Sequence, residues 1–179
     1  MIIEKLSIPE VLLIKPKLFF DDRGAFFESF NDKKFKELSG LDINFVQDNV
    51  SFSKKGVLRG LHFQQAPFEQ AKLVQVLKGK VLDVAVDIRE NSPFYGKYVS
   101  YELSDENNFQ LFIPRGFAHG FLTLSEEVVF SYKCDNYYAP DCDSGIIYND
   151  SNININWGGN LENLIVSDKD LLLMPLKNI

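Results

Sequence analysis

Short apolar runs recur along the whole chain, separated by clusters of Gly, Pro, Asn and Asp. That rhythm predicts many short strands rather than long helices, as in a sandwich or barrel. A first strand is expected over 12–17. Phe19 and Phe20 lead into a turn at Asp21-Asp22-Arg23-Gly24, and a second strand follows over 25–30. Asn31 or Asp32 caps a short helix that runs to Leu38, with Phe35 and Leu38 on its inner side.

The next strand, 45–53, alternates, so that Gln47, Asn49, Ser51 and Ser53 share one polar face. A surface strand gives this pattern, and so does a strand lining a polar cavity. In the run GVLRGLHFQ at 56–64, strict alternation puts Arg59 and His62 on opposite faces; Gly60 permits a bulge that turns both toward one site. Lys72 shares a face with Val74 and Val76, so this lysine either points among apolar residues or snorkels outward. Over 81–89, Leu82, Val84, Val86 and Ile88 make the clearest core face.

A turn at 93–96 leads to a strand over 97–103, and 109–113 runs through Pro114-Arg115-Gly116 into 117–124, with His119 beside Phe117 and Phe121. Val128, Phe130 and Tyr132 share a face, so the Tyr132 hydroxyl points inward and needs a polar partner. An edge strand is expected over 153–157. Ser167-Asp168-Lys169-Asp170 has the spacing of a helix capping box, which is a purely structural use for Asp170. The pattern as a whole predicts an all-β jelly-roll barrel with a few short helices, one domain over 1–179, its mouth wide enough for a ligand cavity.

Composition narrows the function classes. The apolar fraction is 45% and the charged fraction 25%, ordinary for a globular protein, while 16 Phe and 7 Tyr favour strands. A formal charge of −6 speaks against a nucleic-acid partner, yet a local cluster of cations can still hold a small anion. The first apolar run is too short and interrupted for a signal or a membrane span, so a cytoplasmic protein with no membrane partner is expected. In that compartment Cys134 and Cys142 are expected as free thiols.

The candidate chemistry gathers on the inward residues Arg59, His62, Lys72, His119 and Tyr132, with Gln47 and Asn49 alongside. Two histidines far apart in sequence do not form the usual metal-ligand set of a small barrel, although two histidines and one carboxylate remain arithmetically possible; no metal and no cofactor is expected. Serine-nucleophile and phosphate-loop motifs are absent. A base, a phenol and several cations suit proton abstraction beside a carbonyl, with a cation steadying the enolate and the phenol returning a proton.

The blocks FDDRGAFFESF, FVQDNVSFS, GVLRGLHFQ, QAKLV, DVAVDIR with SPFYG, IPRGFAHGF, YKCDNYYAP and SDKD follow in order over nearly the whole length. In them the chain resembles the dTDP-4-dehydrorhamnose 3,5-epimerases, a metal-independent family of the cupin superfamily. The resemblance implies His62 as the base, Asp170 as its orienting carboxylate, Tyr132 as the acid on the opposite face of the sugar, and Lys72 at the enolate oxygen. It implies that Arg23, Glu28, Gln47, Asp48, Asn49, Arg59, His119 and Lys169 hold the nucleotide, with Tyr138 stacking on thymine. It further implies a homodimer in which Arg23 and Glu28 reach into the partner's site. The substrate so implied is a dTDP-linked 4-keto-6-deoxy sugar, inverted at carbons 3 and 5 on the way to dTDP-L-rhamnose. A single-carbon epimerase, a non-catalytic nucleotide-sugar binder and a metal cupin are the rival readings. Three positions depart from the family pattern. Asp143 stands where Glu is frequent, one methylene short for a nucleotide contact. Tyr148 replaces a common Trp, and Trp157-Gly158-Gly159 replaces Trp-Pro.

Overall fold

In a computed structural model of the chain, alternating side chains and breaker clusters resolve, among the described residues, into thirteen strands and two short α-helices. The structure describes residues 1–158, 161 and 163–178; Gly159, and with it part of the Trp157-Gly158-Gly159 departure, lies outside them. The elements are β1 (Ile2–Lys5), β2 (Leu12–Lys15), β3 (Phe19–Asp21), β4 (Gly24–Phe26), α1 (Asp32–Ser39), β5 (Gln47–Lys54), β6 (Leu58–Gln64) and β7 (Lys72–Lys78). They continue with β8 (Lys80–Asp87), β9 (Tyr98–Ser104), β10 (Gln110–Ile113), β11 (Phe117–Thr123), β12 (Glu127–Cys134), β13 (Asp143–Gly145) and α2 (Asp168–Leu171).

Two antiparallel sheets form the jelly roll, one in the order β1-β2-β10-β7-β12-β5 and the other β13-β6-β11-β8-β9, with β3 and β4 as a separate hairpin. The inner core between them takes Val74 and Val76 from β7, Val81 and Ala85 from β8, Leu111 from β10, Phe121 from β11 and Phe130 from β12. Central position explains a difference on β8. Leu82, Val84, Val86 and Ile88 do share a face, packed around Trp157, but the opposite face is buried as well, including Asp83 and Asp87. A strand covered on both sides loses its alternation of exposure.

The helix begins as expected, with Asn31 Oδ1 accepting from Lys34 N at 3.0 Å. Its inner side is narrower than expected. Phe35 is buried with ring centroids 5.5 Å from Phe112 and 5.7 Å from Phe45, whereas Leu38 is 53% exposed. A two-turn helix that lies on a sheet through one ring leaves the neighbouring position in solvent. The strand expected over 25–30 stops at Phe26, and residues 27–31 run as irregular chain.

Residues 153–157 form no strand. Asp150 captures the amides of Asn152 and Ile153 through Oδ1 and that of Leu176 through Oδ2, so the first part of the segment has no amides for a ladder. Ile153 and Trp157 instead plug the outer side of the second sheet, with Trp157 Nε1 donating to Tyr148 O at 2.9 Å. Both cysteines are free, Cys134 buried and Cys142 half-buried. Among the described residues no helix is long and apolar enough to cross a membrane.

Candidate active site

The site begins with a bulge on β6. His62 pairs with His119 and Arg59 with Phe121, so Gly60 and Leu61 together face Gly120 alone. Only glycine fits: φ at Gly60 is 118°, and a Cβ there would meet Gly120 Cα at 2.6 Å and His119 O at 2.7 Å. The extra residue turns both Arg59 and His62 into one cavity of about 490 Å³, which Ser51, Lys72, His119, Tyr132 and Asp170 also line.

His62 stands on the second-sheet wall. Its Nε2 lies 2.7 Å from Asp170 Oδ1, and Asp170 Oδ2 accepts from Gly60 N at 3.2 Å. With the proton of Nε2 given to the carboxylate, Nδ1 keeps the lone pair that a base needs. The capping box expected here is half formed: the Asp170 amide donates to Ser167 Oγ at 3.2 Å and Ser167 caps α2, while the Asp170 carboxylate turns to His62 and the Gly60 amide. Burial draws the Asp170 carboxyl upward. The hydrogen bond from His62, the His62 charge and the Gly60 amide outweigh it and hold the group below the usual carboxylate range.

Tyr132 comes from the other wall, on β12 of the first sheet, beside Val74 of β7 and Asn49 of β5. Burial raises its phenol, which keeps it protonated at neutral pH. The expected polar partner is not a protein group: among the described residues none hydrogen-bonds the hydroxyl, and Tyr132 lines the open cavity. Lys72 is half-buried, its ammonium 6.0 Å from the Tyr132 ring centre, so it does not snorkel away. Burial pushes the amine down, against the pull of the Cys134, Asp143 and Asp83 charges. Phe121 and Phe130, stacked at 4.2 Å, complete an apolar stretch of the lining.

The polar face of β5 turns inward, which settles the choice between surface and cavity. Gln47, Asn49 and Ser51 are half-buried and Ser53 is buried, while Val50 and Phe52 on the opposite face are exposed. Arg59 crosses to this strand, donating through Nε to Ser53 Oγ at 3.1 Å and through its terminal nitrogen to Phe52 O at 3.2 Å. At the rim, Tyr138 donates its hydroxyl to Asp143 Oδ2 at 3.1 Å, and Lys169 pairs with the same oxygen. That bond raises the Tyr138 phenol and the Lys169 amine.

Of the expected residues, Gln47, Asn49, Tyr138 and Asp143 lie beside the cavity without lining it, and Arg23, Glu28 and Asp48 are tied to other partners. Arg23 lies on the turn of the β3–β4 hairpin, bound to Asp21, and Glu28 pairs with Lys34 at 2.8 Å. Asp48 points to the outer face of β5 and pairs with Lys133 at 3.0 Å.

One family model covers almost all of this architecture. Described as dTDP-4-dehydrorhamnose 3,5-epimerase, it matches residues 5–178. The chain belongs to that family. It is 53% identical to the dTDP-4-dehydrorhamnose 3,5-epimerase of Shigella flexneri over 93% of this chain and 91% of the relative. The corresponding enzyme of Salmonella typhimurium is 55% identical over 88% of this chain and 86% of its own length. Among solved structures, the dTDP-6-deoxy-D-glucose-3,5-epimerase of Legionella pneumophila, in complex with dTDP-4-keto-L-rhamnose, superposes with a TM-score of 0.95. It shares 48% identity, covering 99% of this chain and 93% of that one.

Within this epimerase fold, one acidic residue went unnoticed in the sequence. Asp83 Oδ2 lies 2.9 Å from His119 Nε2, both groups are buried, and Asp83 Oδ1 has no partner among the described residues. Burial raises the Asp83 carboxyl and lowers the His119 imidazole, each against the pull of the other. The available signal was a charge between Val81 and Ala85, inside an apolar run on the face opposite the evident core. Among the described residues no three His, Cys, Asp or Glu side chains converge on a metal-sized site.

Proposed function

We propose that this chain, as a single catalytic domain, inverts carbons 3 and 5 of dTDP-4-dehydro-6-deoxy-D-glucose to give dTDP-4-dehydro-L-rhamnose. The observation that carries the reading is that His62 on β6, bonded to Asp170 of α2, and Tyr132 on β12 of the facing sheet line one cavity. Inversion needs a proton removed from one face of a carbon and another delivered to the opposite face. His62 takes the proton beside the 4-ketone, and the electron pair moves into the carbonyl, giving an enolate whose oxygen Lys72 steadies. Tyr132 then gives its proton to the carbon from the far side. Exchange with solvent returns a proton to the phenolate and removes one from the imidazolium, so the second carbon can follow by the same route.

Arg59, Gln47, Asn49, His119 and Lys169 suit the nucleotide part, with the Tyr138 ring available to stack on the base. Arg23, Glu28 and Asp48 sit away from the chain's own cavity, which fits a homodimer whose sites are shared. Exposed apolar side chains support a covering second copy: Phe20 is 77% exposed, Phe26 71%, Val50 54% and Phe52 74%. Such an enzyme works in the cytoplasm without metal or cofactor.

Incubation with the dTDP sugar in heavy water tests the assignment. Deuterium at carbons 3 and 5 with inversion of both is expected. Label at one carbon only would make the chain a single-carbon epimerase. No label would leave a nucleotide-sugar binder. Activity lost to a chelator and restored by a divalent ion would overturn the metal-free part of the reading.

A further inference from the structure

The residue that ends β6, Gln64, is 5% exposed and uses both ends of its amide. Its Nε2 donates to Phe68 O at 2.6 Å and to Tyr137 O at 3.2 Å, and its Oε1 accepts from Ala139 N at 2.7 Å. The last two bonds bracket Tyr138. The amide of Tyr138 itself donates to Gln47 Oε1 at 3.0 Å. Three backbone groups around one exposed ring are therefore held by two glutamines, one from each sheet.

The ring has little else to fix it. Tyr138 is 53% exposed, and among the described residues no aromatic side chain packs on it. Among the described residues its one side-chain bond is the hydroxyl contact to Asp143 at the rim. An exposed ring without packing inherits its position from its backbone. The backbone here belongs to the irregular segment after β12, whose amides and carbonyls are taken up mainly by side chains: Gln70 Nε2 donates to Asn136 O at 2.8 Å, and Asn136 Oδ1 accepts from Tyr137 N at 2.9 Å. Of these ties, those of Gln64 and Gln47 are the ones that flank Tyr138.

We propose that Gln64 is a positioning residue for nucleobase recognition: it clamps the backbone on either side of Tyr138 so that the ring is already set to stack on a pyrimidine. The inference rests on the reading of Tyr138 as the stacking ring. Gln64 touches no ligand in this arrangement and acts through Tyr138 alone. A ring set before binding loses less freedom on binding, and that preorganisation appears as affinity. Loss of the clamp thus raises the Kd and KM of the nucleotide sugar and leaves the chemical step, on the facing walls of the barrel, close to its original rate.

A double-mutant cycle in dTDP affinity tests this, with calorimetry on Gln64→Leu, Tyr138→Ala and the double variant. Gln64→Glu serves as a second substitution of the same shape; it keeps an acceptor for Ala139 N and loses both donors. Base–aromatic stacking makes Tyr138→Ala weaken dTDP by about 5- to 100-fold. Either Gln64 variant weakens it by about 2- to 10-fold and by no more than Tyr138→Ala does, with kcat within about 2-fold; amide exchange speeds up at Tyr138 in both, and at Ala139 in Gln64→Leu. In the double variant no further loss appears beyond Tyr138→Ala. Unchanged dTDP affinity in both Gln64 variants, or losses that multiply in the double variant, overturns the positioning role. A Tyr138→Ala protein that binds dTDP as before overturns the stacking reading instead, which separates the two failures.

Discussion

His62 and His119, the two histidines of the chain, are direct cross-strand partners on β6 and β11, yet each is held by a different carboxylate. Asp170 holds His62, whose side chain is 33% exposed, and Asp83 holds His119, whose side chain is 7% exposed. Two cations side by side would repel each other. Burial, opposed by Asp83, pushes the His119 imidazole down, which favours its neutral form beside the proposed base. In the proposed mechanism the more exposed ring exchanges protons, while a neutral His119 has a single N–H to donate.

Loss of the base is the first consequence to measure. His62→Asn lowers turnover by about 10²–10⁴-fold while dTDP still binds. Asp170→Asn keeps the Ser167 cap, because that bond uses the Asp170 amide, but removes the carboxylate that orients the ring. Its kcat falls by at least about 10-fold. The folded-state pKa of Asp170 is depressed, so its contribution to stability is present above the unfolded carboxyl pKa and fades as pH falls through the folded one. Urea melts of wild type and Asp170→Asn therefore converge on acidification. Wild-type turnover in Asp170→Asn would reduce the residue to a helix cap.

Tyr132→Phe is expected to keep the fold and dTDP binding and to lose inversion. Deuterium exchange persists, since His62 can return a solvent proton to the face it came from. Burial raises the phenol, so Tyr132 ionises above the ordinary tyrosine range, and an alkaline limb at lower pH belongs to another group such as the Lys72 amine, which burial pushes down. A Tyr132→Phe protein that inverts both carbons at the wild-type rate would remove Tyr132 from the mechanism.

Lys72 sets activity against stability. A depressed amine pKa in the folded state means that folding carries a penalty below that pKa, relieved as pH rises from the folded toward the unfolded value. Lys72→Met therefore melts higher than wild type at neutral pH, lacks the alkaline rise in stability, and turns over at least about 10²-fold more slowly. Thermal melts at neutral and alkaline pH check the sign, and a lower melting point at pH 7 would contradict it.

Burial pushes the Cys134 thiol up to about 11, while Cys142 is half-buried on the 3₁₀ turn Pro140–Cys142. Iodoacetamide at neutral pH should label Cys142 first and leave Cys134 intact until the protein unfolds. Mass spectrometry of the native, alkylated protein reads this directly. Early labelling of Cys134 would show that its pocket opens.

Much of the fold was legible because local rules coincide with the global answer. The polar alternation expected over 45–53, realised from Gln47 onward, the Asn31 cap and the face shared by Val128, Phe130 and Tyr132 all survive in three dimensions. Gly60 was legible as a bulge because only a residue without Cβ tolerates so close an approach of two backbones. The expectation failed at Leu38 and at 153–157. In both places a tertiary partner decides, namely the single ring contact beneath α1 and the Asp150 carboxylate that takes the amides.

The sequence by itself determined the strand periodicity, the two-sided choice at Gly60, the small set of inward polar residues and, through its motifs, the family. Those are properties of single residues and near neighbours. Only the tertiary structure decided that Asp83 belongs behind His119 and that Arg23, Glu28 and Asp48 lie away from the chain's own cavity. It also decided that Gln64 grips the backbone around Tyr138, 74 residues further on. Pairings over such distances depend on how two sheets are laid face to face, and no local pattern encodes which side chains then meet.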